Sequence, residues 1–450
     1  MDANHEGLAF LAWCQYDSPH CATIKSQEFI LTEHQQLSLC KSKKTKLFYG
    51  YIIAAVAFVI QGLNWGIYST FGVFFNSFLT DFGWLRVTIA GAASLSFFLN
   101  GVFNIIIGGL NDRFGPRRMM TFCGLFLGVG LLLMSQVNAV WQLYLYYGVL
   151  VAIGLCGADI ILLSTVARWF IKGRGLASSI IKVGSGIGIM MMSVLASRLI
   201  VNYNWRIAYS ILGSVCLILV VLLSQFLRRD PAEMDLSPYG STGNNVGATN
   251  VVEEGLTIRE AISTRQFWTM CLVYFSIVFN SHTIMTHTAQ HAIDLGVAAT
   301  SAASILSIIG GASIVGRLAG GVMSDRLGNR ATMLICFVIL AASLCWLQIA
   351  TELWMLYVFA VLYSFSHGGF FAIISPMVAG IFGTRAHGLI LGIIISFGTA
   401  GGALSVVLAG HLYDIAGSYR IAFWILLLFA AIGLAATVSL KPIQRDSIPE

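Results

Sequence analysis

Twelve runs of mostly apolar residues divide this 450-residue chain, and each is long enough, at roughly 20 residues, to cross a hydrocarbon core of about 30 Å. They fall near 48–78, 87–109, 119–138, 141–168, 175–200 and 206–227, then near 267–293, 299–321, 331–350, 353–382, 386–412 and 419–440. Only 10% of the residues are charged, against about 25% in an ordinary soluble domain, so the chain lacks the polar surface that a soluble fold needs. In lipid every backbone group must be bonded within its own segment, which makes such runs helices. A polar stretch holding Pro231, Pro238 and the sequence GSTGNNVGATN separates the two sets of six. The expected fold is all-α and membrane-spanning. Its parts are an N-terminal tail (1–46), a six-helix bundle (47–228), a linker (229–265), a second six-helix bundle (266–440) and a short tail (441–450).

The two sets are copies of one unit. GGLNDRFGPRR at 108–118 and GGVMSDRLGNR at 320–330 both read G-x-x-x-D-R-x-G-x-R, and the step from Asp112 to Asp325 sets the offset between them. Gly175-Leu176 returns at the same offset as Gly388-Leu389, and WRIAY at 205–209 returns as YRIAF at 419–423, one position out of step. Three matches in the same order at nearly one spacing are a duplication. Gly124/Gly128, Gly184/Gly188 and Gly316/Gly320 carry the small-x-x-x-small spacing that lets membrane helices approach closely.

Charge sets the orientation. From Lys41 onward, nineteen Lys and Arg residues fall in the tails, the linker and one set of alternating loops, and four (Arg86, Arg198, Arg206, Arg420) fall on the other side. The richer side is expected to be cytoplasmic, with both termini and the linker there and the chain in a plasma (inner) membrane. The net charge of +6 sits at the ends of apolar runs and forms no patch for nucleic acid. The nine cysteines show no C-x-x-C pair or metal-ligand grouping, so no metal and no cofactor is expected. No phosphate-binding loop, nucleophile elbow or H-E-x-x-H helix supports an enzyme.

Two six-helix repeats with the doubled G-x-x-x-D-R-x-G-x-R loop closely resemble the major facilitator superfamily over about residues 48–440. Within it, TFGVFF at 70–75, RWFIKGRGLA at 168–177, GSGIG at 184–188 and NWRIAY at 204–209 resemble the oxalate/formate antiporter and monocarboxylate-transporter branch. The resemblance implies alternating access, in which the halves rock about a site near the bilayer midplane. It also implies a gating role for the loop motif: Asp112, Arg113 and Arg117 in one half, with Arg168 as partner, and Asp325, Arg326 and Arg330 in the other. From the residues alone, a carboxylate at a helix end either pairs with a basic neighbour or caps a helix N-terminus.

Ionisable groups inside a membrane are costly, and each is a functional candidate. Arg317 lies eight positions before Asp325, Lys182 eight beyond Arg174 and Asp159 nine before Arg168, all about 12 Å inside the basic end. Arg317 is the leading anion-binding candidate, because a buried guanidinium stays charged and its fork fits a carboxylate. The resembling carriers have an arginine here too, but often an aspartate where Ser313 stands, and some have a lysine in the first helix that NWGIYSTFGVFF lacks. Lys182 either supplies that second positive charge or pairs with Asp159 to hold two helices together.

Asn64 and Tyr68 share a face of the first helix with Gln61, and Asn104 is the counterpart of Arg317 at the repeat offset. His282 and His367 stand ready to titrate or to bond substrate, while His287 and His291, four apart, have the spacing of a metal or proton relay. The expected protein is a secondary transporter of small organic anions, mono- or dicarboxylates, by symport or exchange. Its expected partners are that anion, a proton or counter-anion and the bilayer, with a monomer as the working unit. The competing readings are a facilitator exporting amphipathic or cationic compounds and a membrane sensor without flux.

Overall fold

Local chemistry fixes where each helix begins and stops. In a computed structural model describing residues 48–241 and 255–440, twelve helices are long and apolar enough to span a membrane. They are α1 (Tyr49–Phe82), α2 (Arg86–Phe114), α3 (Pro116–Met134), α4 (Val140–Trp169), α5 (Arg174–Asn202) and α6 (Trp205–Ser224) in the first half. The second half has α7 (Arg265–Asp294), α8 (Ala299–Leu327), α9 (Asn329–Ile349), α10 (Leu353–Phe382), α11 (His387–Ala416) and α12 (Arg420–Ser439). The expected tails and the middle of the linker lie outside the described residues. In the repeated loop motif, Gly115 and Gly328 close α2 and α8 at φ of +81° and +87°, a backbone region that favours glycine. Pro116 then opens α3 with its preset φ. Asn204 caps α6 by accepting the N–H of Ile207 at 2.8 Å, and Thr264 caps α7 at Phe267. One departure from regularity is a π-helical stretch, Tyr144–Val151, inside α4.

From Gly50 onward the described residues form one body. The two halves meet along α2 with α11 and along α5 with α8, pairings that the repeat offset relates to each other. The close-approach glycines work as their spacing predicts. Gly62 and Gly66 of α1 lie against Gly184 and Gly188 of α5, Gly124 and Gly128 against Val220 and Leu217 of α6, and Gly316 and Gly320 against α10.

The described ends of the linker dock on equivalent loops. Tyr239 pairs with Phe170 after α4, and Gly255 pairs with Gly383 after α10; Phe170 and Gly383 are themselves related by the repeat offset. A short linker helix, Ile258–Ser263, is opened by Thr257 and Glu260, whose carboxylate accepts the Thr257 N–H at 2.7 Å and is held below the usual glutamate range by that bond.

The α1–α5 contact predicts a contrast. A Cβ at Gly66 would sit 2.7 Å from the carbonyl of Gly188, whereas at Gly72 it would meet nothing within 4 Å. Gly66→Leu is expected to cost about 1–3 kcal/mol or more and lower the melting temperature of purified protein, with Gly72→Leu near wild type. Equal melting of the two variants would contradict this packing.

Candidate functional site

Where the halves meet, two carboxylates each cross to the opposite half and cap a helix. Asp112, in the last turn of α2, accepts the backbone N–H groups of Gly388 and Leu389 at 3.1 and 2.9 Å, at the start of α11. Asp325, in the last turn of α8, accepts those of Gly175 and Leu176 at 2.8 and 2.9 Å, at the start of α5. A helix N-terminus presents unpaired N–H groups and partial positive charge, so a carboxylate there is favoured. Both alternatives left open for Asp112 occur, because Arg168 also reaches it at 3.4 Å while bonding Asp230 at 3.3 Å. The other motif arginines serve elsewhere. Arg117 bonds Gln225 at the end of α6, Arg330 bonds the carbonyls of Thr437 and Val438 at the end of α12, Arg113 lies over the Phe114 ring, and Arg326 is exposed.

Deeper in the bundle, three helices of the first half and one of the second converge. Lys182 of α5 and Asp159 of α4 form an ion pair at 2.6 Å. The same Asp159 oxygen accepts the Gln61 amide at 2.5 Å and the Trp65 indole N–H at 3.4 Å, both from α1. Arg317 of α8 crosses to this group, and its Nη1 donates to the backbone carbonyl of Lys182 at 3.1 Å. Its Nε is buried with no hydrogen-bond partner. No carboxylate among the described residues forms an ion pair with it. A charge drawn into the bundle without an ion-pair partner is expensive, and a guanidinium fork so placed has the chemistry to take a carboxylate. Ser313, one turn away, is buried and spends its hydroxyl on the carbonyl of Gly310.

An aromatic and histidine wall adjoins the cluster. Phe371 of α10 lies 5.9 Å below the Lys182 ammonium and 5.0 Å from the His367 ring. His367 Nδ1 meets the Ser281 and Tyr363 hydroxyls at 3.2 and 3.3 Å, and Arg317 and His282 are within electrostatic reach of it. His282 itself packs on Phe97 of α2 and Gly402 of α11. Tyr68 stands edge-on to Trp65 at 5.6 Å and is half-buried. The expected polar stripe on α1 divides: Gln61 enters the cluster, while the Asn64 amide bonds the carbonyl of Ile60 in its own helix. Asn104 bonds Asn100 and packs on Gly392, in the α2–α11 seam that the duplication makes equivalent to the α5–α8 seam of Arg317.

Tyr274 of α7 stands edge-on to Phe371 at 6.3 Å, and Phe371, Tyr274 and Ser281 are not marked as site residues by their sequence context. Trp65 stands in the first-helix run with Gln61, Asn64 and Tyr68, and its indole N–H seeks an acceptor, which Asp159 supplies. The spaced pair on α7 divides: His287 bonds the Tyr419 hydroxyl and the Val406 carbonyl at 3.2 Å each, while His291 packs edge-on to Phe423 with its Nε2 buried and unbonded. Among the described residues no group of three or more His, Cys, Asp or Glu is placed to hold a metal ion.

The caps and the Arg317 bond all lie between the Arg317 layer and the basic loops. Toward the other end, Gly310 shares the Arg317 face of α8 by its i, i+7 spacing, and a Cβ there would meet nothing within 4 Å. The two caps tie the halves together on the side of the basic loops.

Breaking the ion pair by one partner should be costlier than removing both. Lys182→Met and Asp159→Asn are each expected to destabilise by about 3–5 kcal/mol, and the double variant to regain most of that loss. Thermal unfolding of the four proteins checks it; a double variant as unstable as the sum of the singles would contradict the pairing.

The profile of the Major Facilitator Superfamily matches residues 54–322 and 270–449. Monocarboxylate transporter 13 of Rattus norvegicus is 26% identical over 394 residues, covering 87% of this chain and 89% of that protein. The MFS transporter asaE of Aspergillus flavus is 26% identical over 333 residues, covering 73% of this chain and 72% of its own. Among solved structures, the E. coli fucose:proton symporter FucP superposes with a TM-score of 0.65 at 14% identity, covering 86% of this chain and 98% of that one. At that identity the likeness concerns the fold. Twelve spanning helices in two duplicated halves, the crossed motif carboxylates and the matching profile lead to one conclusion: this chain is an integral membrane transporter of the Major Facilitator Superfamily.

Proposed function

We propose that this transporter carries small organic monoanions, with Arg317 as the group that binds the carboxylate. The single observation that carries the reading is a part-buried guanidinium whose buried Nε has no partner, beside a lysine whose charge Asp159 already balances. Arg317, Lys182 and Asp159 together leave the site one net positive charge, which a single carboxylate neutralises. A dicarboxylate would leave the loaded site negative in a low-dielectric interior. The relatives named monocarboxylate transporters accord with this class. Tyr68, His282 and His367 supply hydrogen bonds and shape around the bound anion, and Phe371 and Tyr274 offer apolar surface to its carbon skeleton.

In this reading the basic loops face the cytoplasm, the molecule is outward-facing in a plasma membrane, and the tails and linker flank the two six-helix bundles as the sequence divides them. The Asp112 and Asp325 caps form the inner gate, which opens when both helix ends are released. A second reading, export of amphipathic compounds, is favoured by the aromatic wall of Trp65, Tyr68 and Phe371 and by relatives such as the agnestins efflux protein of Paecilomyces divaricatus.

Uptake of labelled carboxylates into proteoliposomes, with and without a pH gradient and with counter-anions inside, tests the proposal. Flux of monocarboxylates above dicarboxylates is expected. Arg317→Gln should abolish it, and Arg317→Lys, which keeps the charge but loses the fork, should lower it at least about tenfold. Transport of a cation and of no carboxylate would reverse the assignment. Asp112→Ala is expected to fold and insert while slowing flux; wild-type flux in that variant would remove Asp112 from the gate.

A further inference from the structure

Five arginines that the transport site does not use surround one cavity at the basic end. The cavity has a volume of about 510 Å³, and Arg113, Arg117, Arg118, Arg228, Arg229 and Glu233 line it. Its walls come from two places far apart in sequence, the α2–α3 loop and the segment just after α6. Orienting a chain in the membrane requires basic loops only, and either lysine or arginine serves. It does not require guanidinium groups from two segments to line a shared hollow. Arginine in place of lysine is the choice that suits phosphate, because its planar fork bonds two oxygens at once.

Local contacts hold several of these groups in place. Arg228 donates to the carbonyls of Gln225 and Leu227 at 2.9 and 3.2 Å, at the C-terminal end of α6. Arg117 donates through Nε to the Gln225 side chain at 2.8 Å, and Arg229 meets Asp230 at 3.3 Å. Arg118, in the first turn of α3, is exposed. With five guanidinium groups against one carboxylate, the lining carries a net formal charge of +4.

The duplication again shows what is particular to this half. The counterpart of Arg118 is Ala331, and the counterpart of Arg117 is Arg330, whose guanidinium is taken up by carbonyls at the end of α12. The cavity also opens where helices leave the apolar layer. Phe122, one turn along α3 from Arg118, and Leu222, in the last turn of α6, are 41% and 57% exposed. An occupant with its phosphate among the arginines has apolar side chains beside it for acyl chains.

We propose that this cavity binds the phosphate headgroup of an anionic phospholipid of the leaflet that meets the basic loops. Anionic lipid draws basic groups at the surface by about 1 kcal/mol each, and the fixed fork geometry adds direct bonds to the phosphate.

The test is native mass spectrometry of the purified full-length protein, titrated with phosphatidylglycerol and with phosphatidylcholine of the same acyl chains. Wild type is expected to retain phosphatidylglycerol with at least about tenfold higher apparent affinity. Arg118→Glu should erase most of that preference without lowering the melting temperature, since an acidic residue suits the first turn of α3. Arg118→Lys should fall between. Arg326→Glu, in the counterpart loop, is the control and should keep the preference. Equal loss in the Arg326 and Arg118 variants would mean a diffuse basic face and overturn the site. Displacement of the lipid by glycerol phosphate at equal concentration would assign the cavity to a soluble anion and overturn the lipid. An unchanged preference in Arg118→Glu would overturn the proposal outright.

Discussion

A charge held inside a membrane bundle must be balanced, and the balance in this protein is uneven by one. Asp159 meets Lys182 at 2.6 Å and takes two further hydrogen bonds from α1 on the same oxygen, so its charge is already matched. Arg317 reaches the same cluster from the other half, yet obtains only a carbonyl oxygen. The arrangement of the halves follows from this. Four helices converge on the cluster, and the α5–α8 seam is anchored by the Arg317 bond to the Lys182 backbone.

The second element is the crossed pair of caps. Each half ends a helix in an aspartate that binds the N-terminus of a helix in the other, so the same interaction is made twice around the pseudo-twofold relation. The symmetry is incomplete, because Arg168 reinforces Asp112 and ties it to Asp230 after α6, whereas Ile381 occupies the corresponding position near Asp325. The two seams are therefore not equivalent in charge, either at the caps or in the Arg317 layer.

Much of this was legible in the sequence, and the reason is physical. Apolar runs report helices that must satisfy their own backbones, and the recurring offset reports the duplication, so the twelve helices and their pairing into halves follow directly. Depth was legible too, since rise per residue places Asp159, Lys182 and Arg317 in one layer. Azimuth was not. Counting along a helix left Lys182 undecided between two roles until its direction toward Asp159 was seen, and it put Asn64 and Asn104 at suitable depths while their amides bond within their own helices. The recipients of the two caps were in view as Gly175-Leu176 and Gly388-Leu389, but only the crossing of the chain between halves shows that a carboxylate of one half meets that pair in the other.

The most direct test of the Arg317 site is a structure of the protein with a bound monocarboxylate. The carboxylate oxygens are expected about 3 Å from the Arg317 guanidinium, with the Asp159–Lys182 pair intact beside it. A ligand seated without contact to Arg317, or one whose cationic group lies on Asp159, would contradict it.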